Sequence, residues 1–199
     1  MNMISEEERL NLALADIDSV NNEDPRLVEV DGKPYPTELL YSVRMTEMLH
    51  LFAPHARAQL QIAARGQHIG RWNSPRNSFP MDRPGYLKWR NKLKLYHADQ
   101  LSGIMEKRGF PQTDIDIVRN LIIKKGVKQE GEVATLEDVV CLVFLKYYAE
   151  DFAAQHEEAK VIDILQKTWG KMSERCHQWA LSMELPDGVS ALVKKALQA

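Results

Sequence analysis

An all-α fold, a helical bundle of about seven or eight helices forming one domain over residues 1–199, follows from three features of the sequence. Apolar residues recur at helical spacing along most of the chain, strand-helix alternation is absent, and Gly or Pro stands where helices must stop. The length allows a core without disulfides or metals as staples. A 44% hydrophobic and 27% charged composition is that of a globular protein. No run of about 18 apolar residues offers a bilayer span. The start from Met1 to Glu8 is acidic where a secretory signal would be basic and then apolar. Both points direct the expectation to the cytoplasm and away from membranes.

Ser5 with Glu8 forms a capping-box pair, and Leu10, Leu14, Ile17 and Val20 follow at helical spacing, so a first helix is expected over about 5–21. Asp24-Pro25, Asp31-Gly32, Pro34 and Pro36 make 22–36 a connector with one short extended piece at Leu27–Val30. Thr37 is placed to cap a second helix carrying Leu40, Val43, Met48 and Leu51. That helix ends at Ala53-Pro54, because proline disfavours helical geometry in the residue before it. Pro54 suits the first position of a third helix running towards Gln67, with Leu60, Ile62 and Ala63 inward.

Residues 70–84 hold Gly70, Pro75, Pro80 and Pro84 among aromatic and polar side chains, a composition that breaks a helix and predicts a long ordered loop. A long helix over 84–108 follows, with Leu87, Leu95, Ile104 and Met105 on its buried side and Gly109 as its stop. A fifth helix spans about 111–125 and stops at Gly126. Thr135 with Asp138 opens a run at 139–145 that is apolar nearly all round, the expected central helix of the bundle. Helices over about 159–169 and 173–183, and one opened by Pro186, complete the chain. Cys141 and Cys176 read as buried reduced thiols.

Charge is spread unevenly. Residues 65–94 carry eight cations (Arg65, Arg71, Arg76, Arg83, Lys88, Arg90, Lys92 and Lys94) against the single acid Asp82. That is a local charge of +7, within a chain of formal charge −2 whose remainder therefore carries −9. A reversal of this size suits an anion site. Arg71, Arg76, Arg83 and Arg90 offer planar forks that grip phosphate through two hydrogen bonds at once. Trp72, Phe79, Tyr86 and Trp89 interleave with them as faces on which a nucleobase stacks. The competing account has the aromatics anchoring the loop and the arginines solvated.

His68 stands where the third helix meets the loop, and His97 lies on the helix that leaves it. Imidazoles suit proton transfer near neutral pH, so both are candidate catalytic residues. A divalent metal is left open as a cofactor, with Glu47 and Asp138 the available carboxylates, although Asp138 also suits a cap with Thr135. The favoured partner is a small phosphorylated or nucleotide-like ligand. RNA or other nucleic acid is the alternative, which would ordinarily spread positive charge over a wider face. A helical interaction protein with no ligand is the third reading.

At Tyr-Pro-Thr-Glu-Leu-Leu-Tyr-Ser-Val-Arg-Met-Thr-Glu (35–47), Ala-Arg-Gly-Gln-His-Ile-Gly-Arg-Trp (64–72) and Tyr-Leu-Lys-Trp-Arg (86–90), the chain resembles the family known as domain of unknown function 4202, over about 22–197. That resemblance implies kinship without an activity. The order of elements is also similar to the helical HD superfamily of metal-dependent phosphohydrolases. Those enzymes hold one or two metals with a histidine, a His-Asp pair and a later aspartate. On that alignment Tyr41 takes the place of the first histidine, and Gln67-His68 the His-Asp pair before Ile69-Gly70. Leu145 takes the place of the last aspartate, and only His97 matches, as an auxiliary histidine. This resemblance implies the architecture and a phosphohydrolase alternative, but not the ligand set. Tyr41, Arg44 and Gln67 join Arg71, Trp72, Arg76, Arg83 and Arg90 as ligand-binding candidates. His68-Ile69-Gly70-Arg71 and Lys171-Met172-Ser173-Glu174-Arg175 look like the two signatures of class I aminoacyl-tRNA synthetases. Those signatures need a parallel-strand fold that this sequence does not predict.

Overall fold

Ser5 opens the first helix of the computed structural model, in which residues 5–124 and 131–198 are described. Its hydroxyl accepts the Glu8 N–H at 3.1 Å, capping α1 (Glu6–Asn21). Among the described residues the chain is all-α apart from one β-hairpin, and it divides into two compact units, Met1–Gly126 and Val127–Ala199.

In the first unit, β1 (Leu27–Val30) pairs antiparallel with β2 (Lys33–Pro36), Leu27 opposite Pro36 and Val30 opposite Lys33. The extended piece expected at Leu27–Val30 is thus joined by a second strand that the prolines of 33–36 conceal in the sequence. Asp31 and Gly32 turn the hairpin with φ of 51° and 72°, the left-handed pair that a two-residue turn of this hand requires. Pro34 and Pro36 are tolerated because a two-stranded hairpin has only edge strands.

Thr37 does not cap α2 (Thr37–Phe52), because its hydroxyl donates to the Arg26 carbonyl at 2.9 Å. Asp24 does that work from a distance, accepting the Glu38 N–H at 3.1 Å. The third helix, α3 (Ala58–Arg65), starts four residues later than Pro54. The intervening chain closes as a turn, with Ala56 N–H on the Ala53 carbonyl and the Gln61 amide on the Ala56 carbonyl at 2.8 Å.

The loop that follows contains single turns of 3-10 helix at Arg71–Asn73 and Arg76–Ser78, so it is ordered as expected. Asp82 caps α4 (Arg83–Lys107) by accepting the Gly85 N–H at 2.7 Å. Along α4 the inward stripe is Gly85, Trp89, Leu93, His97, Leu101 and Met105, one residue every four. Leu87 and Leu95 lie two positions off that stripe and are 49% and 52% exposed, the reverse of their expected burial. The next helix, α5 (Gln112–Ile123), ends on Lys124 with a φ of 58°. The expected stop at Lys125-Gly126 lies outside the described residues. Helix α5 packs on α3 and α4, while α1 packs on α2, α3 and α4. Ile17, Met45, Leu49, Phe52, Ile62 and Leu101 are sealed between them, each contributing about 1.5–3 kcal/mol relative to exposure.

The second unit holds α6 (Gly131–Tyr147), α7 (Ala149–Ala154), α8 (Glu158–Trp169), α9 (Glu174–Ser182) and α10 (Asp187–Gln198). Helix α6 buries Leu136, Val139, Leu142, Val143 and Leu145 and packs on α7 and α9, while α8 packs on α10. It begins four residues before Thr135, which is therefore interior and forms no capping box with Asp138. The buried Asp138 carboxylate instead accepts from the Ser173 N–H at 2.8 Å and hydroxyl at 2.6 Å, fixing the residue that caps α9. Asp138→Ala would leave both donors unpaired, at a cost of about 1–3 kcal/mol. Thermal unfolding should show it as a drop of roughly 2–4 °C per kcal/mol. An unchanged melting temperature would mean that Ser173 needs no support. Cys141 and Cys176 are buried, and neither is in a disulfide. Among the described residues no helix is long and apolar enough to cross a membrane.

Candidate functional site

All the parts of the site lie in the first unit. Helix α2 starts with Glu38 in its first turn and places Tyr41 one turn later. After α3 the chain turns through Gly70, whose φ of 62° and close approach to Tyr96 exclude a side chain, since a Cβ there would lie 2.7 Å from the tyrosine hydroxyl. The Gly70 N–H donates to Asn21 Oδ1 at 3.2 Å. This turn sets His68 against Tyr41, the rings stacked at 4.0 Å and 12°, with the His97 ring centroid 6.2 Å away.

A chain of charged and polar groups runs through this point. Arg26 grips Asp24 with two bonds of 2.9 and 2.8 Å and reaches Glu38 Oε1 at 2.7 Å. Glu38 Oε2 lies 3.3 Å from His68 Nδ1. On the other side of the ring, Arg71 Nη1 lies 2.7 Å from Nε2 and 3.2 Å from Nδ1. Being close to both nitrogens, that cation lies over the face of the ring, and it is the Glu38 carboxylate, an acceptor, that keeps the ring proton on Nδ1 and leaves Nε2 a lone pair. His97 has the same tautomer for a different reason: its Nδ1–H donates to the Ile69 carbonyl at 2.8 Å. Its Nε2 has no hydrogen-bond partner among the described residues.

The electrostatics agree with two neutral imidazoles. Burial, followed by the charge of Arg71, brings the His68 pKa down from 6.5 to about 4, against the opposing pull of Glu38. Burial also dominates at His97, bringing its pKa down to about 3. Burial would raise the Glu38 pKa, but the hydrogen bond from His68 and the bond to Arg26 outweigh it, so the carboxyl is held below its ordinary value. Asp24 is lowered in the same way, its bonds to Arg26 and to the Glu38 N–H outweighing burial.

Trp89 forms the floor beside this chain. Its Nε1–H donates to the Ser74 carbonyl at 2.8 Å, and the Arg71 guanidinium lies 5.0 Å from its ring. Arg76 also lies over Trp89, at 5.9 Å, and donates from its two terminal nitrogens to the Phe79 and Asp82 carbonyls at 3.1 and 3.2 Å. It therefore shapes the loop. Arg90 lies over Tyr86 at 5.7 Å, and Arg83 is exposed. Arg44 is half-buried on α2, one turn beyond Tyr41. Gln67 adjoins His68, with its Oε1 buried and lacking a hydrogen-bond partner. Trp72 is half-buried and makes no ring or side-chain hydrogen-bond contact with this cluster. Among the described residues, only Arg65 of the eight cations pairs with a carboxylate, holding Asp18 through two bonds of 2.6 Å. The structure thus brings together His68, His97, Tyr41 and Arg71, with Arg76 alongside.

Glu38, Arg26 and Asp24 were missed as site residues. Glu38 lies three positions before Tyr41, on the same helix face, and that spacing was the available signal. Of the expected carboxylates, Glu47 is exposed on α2 and Asp138 is consumed by Ser173 in the second unit. Leu145 is a buried apolar residue of α6. Among the described residues no three or more His, Cys, Asp or Glu side chains are arranged to hold a metal ion. A cavity of about 490 Å³ lies elsewhere, lined by α1, α2, Tyr35 and Arg65, and contains none of His68, Arg71 or His97.

A family model described as "Domain of unknown function (DUF4202)" matches residues 11–193. No curated protein and no solved structure matches the chain.

Proposed function

We propose, for a chain that belongs to the DUF4202 family, that the first unit binds a small phosphorylated or nucleotide-like anion between Arg71 and His68. One observation carries this reading. Arg71 is a half-buried cation whose only hydrogen-bond partner is a neutral imidazole, with Trp89 beneath it and no carboxylate within 4 Å among the described residues. A guanidinium bonds far more strongly to an oxyanion than to an imidazole, so this pairing leaves most of its donor capacity for a ligand. Arg76, Arg83, Lys88 and Arg90, none of them paired with a carboxylate among the described residues, add a positive field that draws an anion to the same end of the unit. The half-exposed faces of Trp72 and Tyr86 are available to a base.

Saturating phosphate should raise the melting temperature of the wild-type protein by mass action, about 2.7 kcal/mol of stability at a hundredfold excess over Kd. Arg71→Ala should lose that gain, while Lys88→Ala keeps most of it. Equal stabilisation of wild type and Arg71→Ala would contradict the reading.

A phosphohydrolase reading has one observation in its favour, the unpartnered Nε2 of His97 beside His68. Under it, His97→Gln lowers phosphate-ester hydrolysis with the fold intact, and hydrolysis independent of His97 contradicts it. Nucleic-acid binding would use the exposed Arg83, Lys88 and Lys92 and would show steep salt dependence.

A further inference from the structure

We propose that anion binding at this site is coupled to the uptake of one proton by His68, through exchange of Arg71 from the imidazole to the anion. The inference rests on the anion-site reading above and adds to it a ligand class and a mode of regulation.

The geometry sets the charge of Arg71 against a proton on the same ring, because the guanidinium lies over its face within reach of both nitrogens. Arg71 Nη1 stands 2.7 Å from His68 Nε2. An imidazolium has no acceptor to offer a guanidinium, and two positive charges at that distance repel. As long as Arg71 keeps its place, its charge adds to burial in opposing protonation of Nε2. An oxyanion that takes over the Arg71 donors draws that charge off the ring and brings negative charge beside Nε2. A proton then turns Nε2 into a second charged donor to the same anion. Atoms balance without any covalent step, because the proton comes from solvent and returns there on release.

The rest of the cluster is built to accept that proton without moving the ring. Glu38 Oε2 stands 3.3 Å from Nδ1 and is ready to pair with an imidazolium. Tyr41 stacks on the ring at 4.0 Å and holds its plane. The other cation that bears on His68 is Lys124, at the end of α5, which opposes protonation. His97, facing it from α4, is held neutral by burial. Without a ligand burial and the charge of Arg71 prevail over Glu38, and His68 is neutral down to a pKa of about 4. With Arg71 withdrawn and an anion added, the balance reverses. Two charged donors favour a doubly charged oxyanion, a phosphate monoester or sulfate, over a monoanion.

The sign of the linkage follows. The His68 pKa is higher in the bound state than in the free state, so binding strengthens as pH falls through the bound-state value and levels off below about 4. Between those limits the affinity changes up to about tenfold per pH unit. Inorganic sulfate is the probe of choice, because it does not itself titrate in this range. Calorimetric titration of the full chain with sulfate near pH 6, in two buffers of different ionisation enthalpy, should show uptake approaching one proton. Imidazole resonances of His68 should move to the protonated position on saturation. His68→Gln should bind sulfate with no proton uptake, and Arg71→Ala should raise the His68 pKa with no sulfate present. Sulfate binding that depends on Arg71 but brings neither proton uptake nor a His68 shift would overturn the coupling and leave the anion site standing. If sulfate fails to bind at any pH, the anion-site reading fails and the coupling with it.

Discussion

Unfolding free energy is expected to fall steeply between pH 7 and pH 4, with His68 and His97 as the main cause. Both imidazoles are neutral in the fold, with pKa values of about 4 and about 3, whereas an unfolded histidine titrates near 6.5. A depressed pKa contributes stability that is complete above the unfolded value and is lost as pH falls towards the folded one. At 1.36 kcal/mol per unit, each ring costs roughly 3 kcal/mol by pH 4. Glu38 and Asp24 are also depressed, so their contribution is lost in a second stage, below about pH 4. The first stage alone is comparable with the total stability of many domains, about 5–15 kcal/mol. Urea denaturation at a series of pH values measures it directly. A flat profile from pH 7 to pH 5, or one unaltered by His97→Gln, would show that the histidines are not held neutral.

Trp89→Ala is expected to be the most damaging single substitution near the site. Trp89 is 7% exposed, and removing a side chain of this size from a packed position costs about 3–5 kcal/mol. The change also removes the ring beneath Arg71 and Arg76 and the donor to the Ser74 carbonyl. Loss of phosphate-induced stabilisation should therefore accompany the drop in melting temperature. Trp89→Phe keeps a ring and loses the Nε1–H, for a loss of about 1–1.5 kcal/mol, and should retain phosphate binding. Identical behaviour of the two variants would show that the ring is not the platform.

Most of the helices were legible because caps and stops are local. Ser5, the Ala53-Pro54 step, Gly109 and Ser173 each act within one turn of their own position. The inner face of α4 was not legible, because Gly85, Trp89 and His97 occupy it while Leu87 and Leu95 face outward. Apolar periodicity alone assigns that helix the wrong side. The same distinction divides the site. His68, Arg71 and His97 stand out in the sequence because an imidazole or a guanidinium beside a basic loop announces its own chemistry. Glu38 reads as an ordinary first-turn acid of α2, and nothing in the spacing joins it to His68, thirty positions later. Arg26 was hidden for the same reason, since its role depends on a hairpin whose second strand contains two prolines.

The account turns on where an anion rests, and a crystal structure of the protein grown in phosphate tests that most directly. The predicted result is a phosphate within hydrogen-bond distance of the Arg71 guanidinium, above Trp89, with Arg71 withdrawn from its 2.7 Å contact and the His68 ring in place with Nε2 facing the anion. Phosphate on the outer face of α4 at Arg83 or Lys88, with Arg71 still bonded to His68, would contradict it.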